Sequence, residues 1–71
     1  MNKYRKILEG KLNLAKYEVL IEIESLRRSR IKAQGKQLDA ITGMMAERNS
    51  ILEVLNLKLT ILNDTNFEVN L

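Results

Sequence analysis

The chain has 71 residues, with 12 Lys+Arg against 9 Asp+Glu for a formal net charge of +3, and contains no Cys, His, Pro or Trp. A chain this short holds one small core at most, and without Cys or His neither a disulfide framework nor the usual zinc site can staple it. The missing general base, the missing thiol and the wide spacing of Gly10, Gly35 and Gly43 argue against an enzyme, against a phosphate-binding loop and against a bound cofactor.

No uninterrupted apolar stretch approaches the roughly 20 residues that span a bilayer. The basic start is interrupted by Lys11 and Lys16, where a signal peptide would continue apolar. The expectation is a cytoplasmic protein without a membrane span.

Leu, Ile, Glu, Lys, Arg, Ala and Met dominate a chain free of proline, which predicts an all-α fold. The first helix is placed at about residues 3–33, on apolar positions that recur along it. Tyr4, Leu8, Leu12, Ala15, Val19, Ile23 and Leu26 are spaced 4-4-3-4-4-3, an eleven-residue period of about 3.67 residues per turn. Ile7, Leu14, Tyr17 and Ile21 widen this stripe on one flank. Arg5 with Glu9 and Glu24 with Arg28 form i,i+4 pairs of opposite charge.

Arg27, Arg28, Arg30, Lys32 and Lys36 follow with no acid among them, and Gly35 lies near the middle of the chain. Cations favour the negative end of a helix, and glycine is best suited to close one in the left-handed conformation. The turn is therefore placed near Gly35.

The second helix is placed at about residues 37–63. Leu38, Ile41, Met45, Arg48, Leu52, Leu55, Leu59 and Leu62 are spaced 3-4-3-4-3-4-3, a heptad seam broken only by Arg48. A charge in a seam must snorkel outward or be paired, and Glu18, Glu22 and Glu24 are the candidate partners. Ser50-Ile51-Leu52-Glu53 matches a capping box, which would break this helix near Asn49 and Ser50; the unbroken heptad argues for continuity. Residues 17–24 and 55–61 also alternate at period 2, as strands do, but each alternation sits inside a longer helical stripe. Residues 64–71 read as a C-terminal tail, with Phe67, Val69 and Leu71 alternating in extended fashion.

Two helices of similar length form an antiparallel, coiled-coil-like hairpin over residues 1–63. The apolar positions of residues 51–62 cover most of a helix circumference, more than one neighbouring helix can bury. Dimerisation into a four-helix bundle would cover the remainder. Ile51, Val54, Leu55, Leu57 and Ile61 are the expected partner-binding residues, and the partner is a second copy, another protein, or both.

Residues 1–36 carry ten basic and four acidic side chains, net +6, and residues 37–71 two basic and five acidic, net −3, which suits antiparallel pairing. The function expected is a small regulator, inhibitor or assembly factor acting through helix packing. The alternative is a basic nucleic-acid-binding protein using Arg27, Arg28, Arg30, Lys32 and Lys36. That cluster has no interleaved aromatic for stacking bases.

Gln37-Leu38-Asp39 resembles a fragment of the Ser-Gln-x-Leu-Asp motif of the small helical-hairpin aspartyl-phosphate phosphatases of spore-forming bacteria. The likeness covers three residues, the preceding Ser is absent, and Asp39 lies beside the turn rather than well along the second helix. No activity is carried over, and Asp39 is read as an acidic residue in the first turn of a helix.

Overall fold

The computed structural model describes residues 3–64 as two α-helices, α1 Lys3–Lys32 and α2 Lys36–Leu62, lying against each other as an antiparallel hairpin. The hairpin measures 50 × 17 × 15 Å. The expected all-α hairpin is the fold observed, and residues 17–24 and 55–61 lie inside helices. The alternation at residues 67–71 lies outside the described residues.

α2 runs without a break through Asn49 and Ser50. The Ser50 hydroxyl donates to the carbonyl of Ala46 at 3.2 Å, one turn back, so it decorates a continuing helix instead of capping a new one. Thr60 does the same toward Asn56 at 2.9 Å.

Gly35 makes the turn, though not as a left-handed cap on α1. It is the N-cap of α2 with φ 58° and ψ −130°, a region that only glycine occupies without strain. Its carbonyl accepts the first helical bond of α2 from the Asp39 amide at 3.1 Å. α1 closes earlier, where the Ala33 amide bonds the Arg30 carbonyl at 3.2 Å. Asp39 sits in the first turn of α2 and Arg30 and Lys32 in the last turn of α1, each on the side the helix dipole favours.

Val19, Ile23 and Leu55 form the centre of the core, with Leu12, Ala15, Met45 and Leu52 packed against them. Ile41 and Leu62 are also buried, nearer the two ends of α2. Along α2, the residues withdrawn from solvent are Leu38, Ile41, Met45, Arg48, Leu52, Leu55, Leu59 and Leu62, the expected heptad and no others.

α1 keeps Leu12, Ala15, Val19, Ile23 and Leu26 of its expected stripe on the buried side and departs from it at Tyr4 and Leu8. The α1 residues withdrawn from solvent are Arg5, Glu9, Leu12, Asn13, Ala15, Lys16, Val19, Ile23 and Leu26, of which all but Asn13 and Ala15 fall on a heptad, while Tyr4 and Leu8 stay 54% and 40% exposed. The cause lies in the partner: a 3.5-residue seam on α2 keeps contact along its whole length only with a 3.5-residue seam on α1. The 3.67-residue apolar stripe drifts off that line toward the N-terminus of α1, where Arg5 and Glu9 take its place.

Candidate interaction surface

Both helices carry a second heptad, each member one residue before a member of the buried seam. On α2 it contains Met44, Glu47, Ile51, Val54, Lys58 and Ile61; on α1 it contains Tyr4, Leu8, Lys11, Ala15, Glu18 and Glu22. One residue turns a right-handed helix by about 100°. Because the two helices are antiparallel, stepping back one residue from each seam leads to the same side of the hairpin. The surface confirms this: Leu8, Leu12, Lys58, Ile61 and Leu62 line one shallow groove of about 350 Å³. Glu22, Ser25, Leu26, Met44 and Arg48 contribute to another, nearer the turn.

This flank is open, and Lys11, Glu18, Glu22, Glu47 and Lys58 are interspersed among its apolar side chains. Leu8, Met44, Ile51, Val54 and Ile61 are between 39% and 50% exposed. Of the five expected partner-binding residues, Ile51, Val54 and Ile61 lie together here. Leu55 is taken into the hairpin's own core, and Leu57, 60% exposed, projects away from both seam and flank. Met44 and Leu8 belong to the flank although residues 51–62 alone were expected to form it; their signal in the sequence is the heptad register, not a local excess of apolar residues.

Arg48, the single charge on the α2 side of the seam, is tied across the hairpin. Its Nε donates to Glu22 Oε2 of α1 at 2.5 Å, and a terminal guanidinium nitrogen donates to Glu47 Oε1 at 3.2 Å. The Glu22 hydrogen bond and charge hold the guanidinium pKa above its ordinary value. The consequence is geometric as well: two carboxylates from different helices are held at one height on the flank, near its turn-proximal end.

Arg5 performs a comparable task at the open end of the hairpin. Its Nε donates to the Leu62 carbonyl at 2.5 Å and its second terminal nitrogen to the Asp64 carbonyl at 2.8 Å. The last turn of α2 has no basic residue of its own, so α1 supplies the cation that its carbonyls favour. Among the described residues Arg5 makes no ion pair with Glu9, the i,i+4 partner expected from the sequence; the seam position directs it to α2 instead.

The five cations of the turn are all exposed. Glu24 takes two of them, Arg27 at 3.3 Å and Arg28 at 3.6 Å, whereas Arg30, Lys32 and Lys36 have no ion pair among the described residues. Ile31 stands between Arg30 and Lys32 and is 80% exposed. Among the described residues no helix is long and apolar enough to cross a membrane.

No family model, no curated protein and no solved structure matches this chain.

Proposed function

We propose that the chain is a non-enzymatic protein–protein interaction module, a small regulator, inhibitor or assembly factor that works through helix packing on the flank of Leu8, Met44, Ile51, Val54 and Ile61. One observation carries this: α2 has two heptad seams, and the hairpin covers one of them. A helix with apolar seams on two sides is suited to a place between two neighbours, and α1 is a single neighbour. The small core, with Val19, Ile23, Ile41, Leu55 and Leu62 as its buried members, gives a further reason for association to add stability. A cytoplasmic location accords with a chain free of cysteine.

In-cell crosslinking of the tagged chain, beside an Ile51→Glu/Val54→Glu variant, tests the proposal. Adducts of discrete mass are expected with the native chain and should disappear in the variant. Equal adducts from both chains, or none from either, would count against the flank.

A second reading is favoured by the cationic turn, where Arg30, Lys32 and Lys36, without an ion pair among the described residues, project beside Arg27 and Arg28. It is a nucleic-acid-binding role, in which those five side chains neutralise phosphates and affinity falls steeply with salt.

A further inference from the structure

We infer that the occupant of this flank is a second copy of the chain, laid antiparallel so that the two turns lie at opposite ends of a four-helix bundle. This rests on the helix-packing function proposed above and names its partner and geometry.

Charge decides the arrangement. Paired by height, the flank reads from the open end toward the turn as Leu8 with Ile61, Lys11 with Lys58, Ala15 with Val54, Glu18 with Ile51, Glu22 with Glu47, and Ser25 with Met44. Lys11 and Lys58 therefore form a positive step, and among the described residues neither has an ion-pair partner within its own chain. Glu22 and Glu47, joined by Arg48, form a negative step on the far side of the central Ala15, Val54 and Ile51. With Arg48 included, the Glu22–Glu47 step carries net −1 and the lysine step +2.

A two-fold axis across the flank, midway between the two steps, lays α1 on α1 and α2 on α2 of the second copy. Lys11 then faces the region of Glu22, and Lys58 that of Glu47, and symmetry makes each pairing occur twice. The same operation lays Leu8 and Ile61 against Ser25 and Met44 and brings Val54 onto Ile51 and Ala15 onto Glu18 at the centre, where the carboxylate of Glu18 lies beside the axis. With the turns at the same end, Lys11 would instead face Lys58, and Glu22 would face Glu47. Neighbouring helices are antiparallel in both arrangements, so helix dipoles do not separate them, whereas the like-charge pairings of the second one do. The shared face, 17 Å wide and about 40 Å long at 1.5 Å per residue, is on the order of 650 Å², in the range of the roughly 800 Å² per partner of a standard interface.

Reversal of single charges on α2, which leaves the Glu22–Arg48 pair in place, tests the geometry by sedimentation equilibrium, with circular dichroism to verify helicity. Lys58→Glu alone and Glu47→Lys alone should each raise the dimer dissociation constant at least about tenfold, and the two changes combined in one chain should restore it. If the turns lie at the same end, Lys58→Glu strengthens the dimer instead, because it places a carboxylate opposite Lys11. A nitroxide on a Ser29→Cys chain gives the second readout, free of any native cysteine. The antiparallel dimer places the two labels about 40 Å apart, against about 20 Å or less for turns at one end. Tightening by Lys58→Glu or a short label distance overturns the antiparallel geometry but leaves the helix-packing function standing. A folded native chain that stays monomeric at millimolar concentration overturns the second copy as partner, and the flank then belongs to a protein of different sequence.

Discussion

Arg5 closes the far end of a helix that begins 31 residues after it in sequence: its guanidinium donates to the carbonyl of Leu62, the last residue of α2. With its second bond to the Asp64 carbonyl, this side chain clamps the open end of the hairpin, opposite the turn. Arg5→Gln should lower unfolding free energy by about 1–2 kcal/mol, the value of charged hydrogen bonds to helix-terminal carbonyls. Urea denaturation measures it, and amide exchange at residues 59–62 should accelerate first. An unchanged denaturation midpoint would show that solvent serves those carbonyls equally well.

The two helices were legible in the sequence to different degrees. The α2 heptad is apolar at every position but Arg48, so hydropathy alone locates the whole seam. In α1 the true seam includes Arg5, Glu9 and Lys16, three polar residues that hydropathy assigns to solvent, and their placement follows only from the period of the partner helix. The flank was hidden for a related reason: Lys11, Glu18, Glu22, Glu47 and Lys58 interrupt it, and charges within a stripe read as a solvated face. What the sequence did expose was the surplus of apolar side chains around Ile51, Val54 and Ile61.

The glycines should respond in opposite senses. A Cβ on Gly35 or on Gly43 meets nothing within 4 Å, so packing is not what separates them. Gly35 has φ 58°, and Gly35→Ala should destabilise by about 1–3 kcal/mol through backbone strain. Gly43 lies in the interior of α2, and Gly43→Ala should stabilise by about 0.5–1 kcal/mol. Thermal melts of the two variants should move apart on either side of the native chain; a shared direction would contradict the assigned turn.

Arg48→Leu should raise the urea midpoint of the hairpin. The seam would gain an apolar side chain beside Met45 and Leu52, in exchange for ion pairs whose carboxylates are more than half exposed and which therefore contribute little. Glu22 and Glu47 would no longer be held at one height. A marked fall in the midpoint would show instead that the Arg48 bonds hold the two helices in register.

Replacing Arg27, Arg28 and Arg30 together with Gln should leave helicity nearly intact, since the three are exposed and, among the described residues, only Glu24 pairs with them. If the turn binds nucleic acid, affinity for a generic duplex should fall, and its logarithmic salt slope should shrink by roughly 0.9 for each phosphate that is no longer neutralised. Identical binding isotherms for native and variant chains would mark the turn as a solvated surface only.

The central claim is that the exposed flank of the hairpin packs on a second copy of the chain, and sedimentation equilibrium of the native chain beside Val54→Glu tests it most directly. Val54 is half exposed in the single hairpin, so the substitution should leave the fold of one copy within about 0.5 kcal/mol of native. The native chain should sediment as a dimer at micromolar concentration, and Val54→Glu as a folded monomer. Native and variant chains that sediment identically, both helical and both monomeric at every concentration, would contradict it.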